Sequence, residues 1–104
     1  MLINKILGIL GISAKAGKIV SGTDIVLEKL EKRKLKLVIV ASDSAERTIK
    51  NFKFSCEKYN VPMLIYGTID ENSKAIGKVN RAVIGVQDEN LAEAIKNKIS
   101  AEVK

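Results

Sequence analysis

Apolar residues along this chain of 104 residues switch between two spacings, every third or fourth position and adjacent or alternate positions, and each switch predicts a change between helix and strand. Ile3, Ile6, Leu7 and Leu10 recur at helical spacing and predict an amphipathic first helix. Lys18 to Val20 reads as a short strand. Ser21-Gly22-Thr23-Asp24 then has the serine-x-x-acid form of a capping box, opening a second helix to about Arg33 with Val26 and Leu30 inward. Leu37 to Ala41 is a continuous, mostly β-branched run, the pattern of a strand covered on both faces. Asp43 and Glu46 form another predicted capping pair, and Ala45, Ile49, Phe52, Cys56 and Tyr59 follow as one buried helical stripe. Pro62 ends that region. Met63 to Tyr66 predicts a strand, Asp70 to Ile76 a short helix stopped at Gly77, and Ala82 to Val86 the last strand. Asp88 is placed to cap a final helix with Leu91, Ile95 and Ile99 inward.

This alternation, with no low-complexity linker or internal repeat, predicts an α/β fold: a three-layer α/β/α sandwich with a central mixed sheet of about four strands. Residues 1–104 are expected to form one domain, able to bury roughly two-thirds of its unfolded surface. No apolar run approaches the ~18 residues needed to span a bilayer, so a soluble protein without a membrane partner is expected. The first 17 residues do combine a lysine, a short apolar run and an Ala14-Lys15-Ala16 pattern of the signal-peptidase kind. An amphipathic helix accounts for the same residues without cleavage.

Charge adds a direction. The 18 Lys and Arg outnumber the 12 Asp and Glu, for a formal charge of +6 and an isoelectric point near 9.5. This balance suits a polyanionic partner, and equally serves solubility alone. Cys56 is the single cysteine and histidine is absent, which excludes a disulfide framework, Cys/His zinc sites and histidine-activated nucleophiles. A reducing, cytoplasmic setting is expected.

Spacing argues against an enzyme. Gly11 to Ile19 has one residue too many between its glycines for a phosphate-binding P-loop, and lacks the Ser/Thr after lysine that would hold Mg²⁺. Gly8 and Gly11 lack the third glycine and the preceding strand of a dinucleotide fingerprint. Asp43 stands at the end of a predicted strand, where a phospho-acceptor would sit, but no second acidic residue accompanies it on the first strand. It reads as a helix N-cap. No cofactor or metal is called for.

What remains distinctive is the glycine-opened second helix, Gly22, Thr23, Asp24 and Ile25, because free N–H groups at a helix start suit phosphate oxygens. Lys18 sits just before it. On the same predicted end of the sheet lies Gly77-Lys78-Val79-Asn80-Arg81, which offers two cations, an amide and an exposed apolar residue. These groups suit a bent or bulged RNA: Lys78 and Arg81 on phosphates, Asn80 on a base edge, Val79 against an unstacked base. The same letters also fit an ordinary polar loop.

With those residues in view, the chain resembles the kink-turn-binding ribosomal protein superfamily, the L-seven-Ae and L-thirty-e group, in its short bacterial YlxQ-like form. The resemblance rests on residues 16–22 (AGKIVSG), 36–43 (KLVIVASD), 56–62 (CEKYNVP) and 75–78 (AIGK), and on their order along nearly the whole chain. It implies an α/β/α fold and non-catalytic RNA binding by a monomer associated with translation. Ribosomal RNA or an mRNA leader would be the ligand, and the ribosome or translation factors the wider partners. It also implies that the second-helix start reads tandem G·A pairs and that the loop before the last strand covers a flipped base. Where kink-turn readers carry Asn-Glu and then a lysine, this chain has Asp24, Ile25 and Glu28; Ser42 replaces a glutamate, and Asn72-Ser73 replaces Leu-Gly. An ionised Asp24 cannot donate to a base and Glu28 repels phosphate, so a weaker or differently selective RNA binder is expected. The other expectation open at this point is a protein-interaction module on the same fold.

Overall fold

The apolar run at Leu37 becomes the buried centre of a four-stranded sheet. The computed structural model describes residues 4–102, which form, in chain order, α1 (Lys5–Lys15), β1 (Ile19–Ser21), α2 (Thr23–Glu31), β2 (Leu37–Val40), α3 (Glu46–Tyr59), β3 (Met63–Ile65), α4 (Ile69–Ala75), β4 (Val83–Val86) and α5 (Glu89–Glu102). The sheet order is β1-β4-β2-β3, with β4 antiparallel to both neighbours and β2 parallel to β3. It is the mixed sheet that the alternating pattern predicts.

Successive residues of a strand point to opposite faces, so each central strand feeds two cores. Leu37, Ile39, Ile84 and Val86 pack with Ile6 and Leu10 of α1, Ile76 at the end of α4, and Ile95 and Ile99 of α5. Val38, Val40 and Val83 pack on the other face with Val26 and Leu30 of α2 and Phe52 and Cys56 of α3. Gly85 leaves that second face open at one point, which Leu35 fills: a Cβ on Gly85 would stand 2.7 Å from Leu35 Cδ1. Each completely buried leucine, isoleucine or valine here contributes about 1.5–3 kcal/mol relative to exposure.

Two predicted caps are corrected. Ser21 does not cap α2, because it is committed to the sheet opposite Ile84; the N-cap residue is Gly22, and no side chain bonds the first turn. Asp43 does not cap α3, whose N-cap residue is Ala45; its Oδ1 instead accepts from the N–H of Ile69 at 2.8 Å. Asp43 therefore serves α4, which starts one residue earlier than predicted and also carries its own capping box. Thr68 Oγ1 accepts from Glu71 N–H, and Glu71 Oε1 accepts from Thr68 N–H, both at 3.1 Å.

The helical stripe on α3 is narrower than predicted. Phe52 and Cys56 are buried, Ile49 and Tyr59 only partly so, and Ala45 is exposed because it precedes the helix. Asp88 does cap α5, its Oδ2 accepting from Leu91 N–H at 2.9 Å. The predicted position Ile3 lies outside the described residues. No helix among the described residues is long and apolar enough to cross a membrane.

Candidate functional site

Antiparallel pairing sets the end of β1 beside the start of β4. Ser21 lies opposite Ile84, and Gly22 N–H donates to Val83 O at 2.9 Å. The start of α2 and the loop before β4 therefore meet at one end of the sheet. Gly22, Thr23, Asp24 and Ile25 line one side of an open cleft of about 420 Å³, and Asn80 and Arg81 line the other.

Gly22 makes this junction, because its φ of 104° and ψ of 146° lie where a side chain is strained. The chain passes here from strand directly into the first turn of α2. Its N–H groups have no intrahelical partner and no side-chain cap. Asp24 is the acidic residue of that turn and is exposed. Glu28, one turn on, is paired with Lys32 Nζ at 3.2 Å on the surface.

Arg81 is the best-placed cation. Its N–H donates to Ser73 Oγ at 2.8 Å, and Ser73 Oγ donates to Arg81 O at 3.4 Å, so a buried serine on α4 fixes the arginine backbone. Asn80 before it adopts a left-handed φ of 56°, a conformation asparagine tolerates better than most residues. The Arg81 side chain reaches over Gly22, with Nη1 3.8 Å from where a Cβ would stand. Its Nε is buried and has no hydrogen-bond partner among the described residues. A guanidinium lining the cleft beside an uncapped helix start is a donor set suited to anionic oxygens.

The other residues singled out from the sequence are placed differently. Lys78 and Val79 stand on the exposed loop outside the cleft, Val79 with 81% of its surface free. The structure does not bring Lys18 to them. Lys18 precedes β1 at the far end of that strand, where its carbonyl accepts from Gln87 N–H at 2.8 Å.

Residues 4–98 match the model of the ribosomal protein L7Ae/L30e/S12e/Gadd45 family. The chain belongs to this family. It is 31% identical over 90 residues to the RNA-binding protein YlxQ of Bacillus subtilis (strain 168), covering 84% of this chain and 87% of that one. Identity to the RNA-binding protein YlxQ of Enterococcus faecium is 32% over 95 residues, covering 91% of each. A Bacillus halodurans protein of unknown function superimposes with a TM-score of 0.89 at 31% identity, over 92% of this chain and 97% of that one. The Giardia lamblia 15.5kD RNA binding protein shares the fold, with a TM-score of 0.80 at 21% identity over 97% of this chain and 92% of that one. The family and the fold read from the residues are both borne out.

Membership of the L7Ae/L30e family gives meaning to Asn72-Ser73, the pair that departs from the Leu-Gly pattern. Both are buried although polar. Ser73 holds Arg81, and Asn72 Nδ2 donates to Tyr66 O at 2.9 Å, tying α4 to the end of β3. Sequence reasoning did not assign these two a role. The available signal was two adjacent polar residues inside a short helix whose other inward positions are apolar.

Proposed function

We propose that this L7Ae/L30e-family protein is a non-catalytic RNA-binding protein that takes a kinked or bulged segment in the cleft between the start of α2 and the loop before β4. The observation that carries this reading is the Arg81 guanidinium lining the cleft beside the uncapped first turn of α2. The RNA-binding relatives at 31% and 32% identity support it. In this reading the α2 N–H groups and Arg81 hold phosphate or base-edge oxygens, and Gly22 lets the RNA backbone approach closely. Lys78 meets a phosphate, Asn80 a base edge, and Val79 covers an unstacked base. Asp24 accepts only, so the base edge it meets is one that donates, such as an exocyclic amino group. A kink-turn with tandem G·A pairs presents such edges in a bent frame. In this reading the protein acts as a monomer, in the cytoplasm and in association with translation.

The test is a salt series of RNA affinity for the protein and for the Lys78→Ala/Arg81→Ala variant. The variant is expected to bind about 2 kcal/mol more weakly, roughly thirtyfold, and with a shallower salt dependence. Equal affinity of the two proteins would remove the cleft from the site. No RNA binding by either would favour the protein-interaction module, to which the acidic Asp24 and Glu28 are suited.

A further inference from the structure

The charge of this chain is unevenly distributed. Residues 29–58 hold nine of the 18 basic residues and four of the 12 acidic ones, so this segment supplies +5 of the net +6. In the fold the segment is the end of α2, the turn into β2, and α3. On α3, Lys50, Phe54 and Lys58 recur every fourth residue on the side opposite the buried Phe52 and Cys56, with Arg47 and Lys53 flanking them, and all five are exposed. Phe54 has 71% of its surface free, more than any large apolar side chain here except Val79 among the described residues. None of these α3 cations has an ion-pair partner within 4 Å among the described residues, although Glu46 and Glu57 share the helix.

The stripe connects two cavities. At its start, Arg47 and Asn51 line a depression of about 270 Å³ between α2 and α3 that shares Thr23 and Asp24 with the cleft. At its end, Lys58 Nζ lies 5.4 Å from the centroid of the Tyr59 ring and the Arg33 guanidinium carbon 5.6 Å from it. Arg33, Lys36 and Tyr59 line a second depression of about 230 Å³. From Arg47 to Lys58 the helix advances roughly 16 Å, the span of about five phosphates at the ~3.4 Å spacing of a stacked strand.

We infer that the outer face of α3, from Arg47 through Phe54 to Lys58 and Arg33, is a second RNA contact that holds a single-stranded segment running on from the cleft. Phe54 is the platform for one base, and the cations to either side neutralise the phosphates that flank it. The inference rests on the RNA reading of the cleft, with which the stripe is continuous. A second copy of this chain would bring like charge against this face. A bilayer would need a broad apolar face, where α3 offers one phenylalanine.

The chain has no tryptophan, so Phe54→Trp gives a single tryptophan reporter at an exposed position, and the native fold is expected to be retained. Titrating it with an oligo-uridine of about a dozen nucleotides is expected to quench its emission by stacking. In parallel, anisotropy would follow a labelled kink-turn RNA with and without an oligo-uridine extension at either end. For the native chain the extension is expected to tighten binding. Phe54→Ala should remove that gain, roughly fivefold to a hundredfold, and leave the unextended RNA unchanged. Lys50→Gln/Lys53→Gln/Lys58→Gln should lower the salt slope for oligo-uridine by about 2.

Arg81→Ala separates the two readings, since it should weaken both kink-turn RNAs and spare oligo-uridine. Loss of binding in Arg81→Ala with no effect of Phe54→Ala or of the lysine variants would overturn the second contact and keep the cleft. The converse would keep the stripe and overturn the cleft. Unquenched emission from the Phe54→Trp variant, or self-association of the native chain that Phe54→Ala abolishes, would overturn the second contact.

Discussion

Two helices begin at the same end of this sheet and are finished in opposite ways. The start of α4 is closed three times over, by Thr68 on Glu71, by Glu71 on Thr68, and by Asp43 reaching across to Ile69. The start of α2 has glycine where the cap should be, and no side chain bonds its first turn. The two helices are held differently, α2 against β1, β4 and α3, and α4 against α1. Relative to glycine a side-chain cap is worth roughly a few tenths of a kcal/mol, and α2 goes without it where its first residues line the cleft. Local stability is given up at one helix start and kept at the other, and the open one has Arg81 beside it.

Closing the open start tests this contrast most severely. Gly22→Val forces a branched side chain into φ 104°, which is expected to cost about 1–3 kcal/mol of stability in urea unfolding and at least a tenfold loss of RNA affinity. Retained affinity would show that the RNA does not approach this junction. Ser73→Ala acts one step removed. It leaves the Arg81 N–H without its partner, for a loss of about 1–3 kcal/mol in stability, and loosens the arginine. Its effect on RNA affinity should vanish in an Arg81→Ala background, and additive losses in that double-mutant cycle would refute the positioning role.

Opening the closed start is the complementary change. Thr68→Ala is expected to cost about 1 kcal/mol of stability with RNA affinity unchanged, and a weakened complex would mean that α4 also serves the ligand. Cys56 checks the core beneath α3, away from either start. Burial pushes its thiol from 9.0 up to about 11, so its neutral form is favoured in the fold. That contribution is present below pH 9 and is lost as pH rises through about 11, since the unfolded thiol ionises first. Thermal unfolding of Cys56→Ala should fall less steeply over this range than that of the native chain; parallel curves would contradict the assignment. The smallest effect is expected from Glu28→Lys, which removes an exposed carboxylate already paired with Lys32 and adds a cation. RNA binding should tighten by about 0.5 kcal/mol at low salt and lose that gain at high salt.

Which parts of this were legible beforehand follows from what each depends on. The continuous apolar run at Leu37 to Val40 reports burial on both faces directly, so the central strand and its two cores were readable. The cap of α5 at Asp88 was readable too, but those of α2 and α3 were not: Asp43, for one, meets Ile69 only after β2 and β3 have paired side by side. Ser21 and Lys18 were misleading for the same reason: both are close to Gly22 in sequence, and strand pairing commits one to the sheet and carries the other to its far end. Ser73 could be given its purpose only once Arg81 lay against it.

The central claim is that the open start of α2, with Arg81, receives a bent RNA. It is tested most directly by the affinity of the purified protein for a labelled kink-turn RNA and for the same RNA with its tandem G·A pairs disrupted, at low and moderate salt. The account predicts tighter binding to the intact kink-turn at both salt concentrations, with the preference lost in Arg81→Ala. Equal affinity for the two RNAs, or a preference that survives Arg81→Ala, would contradict it.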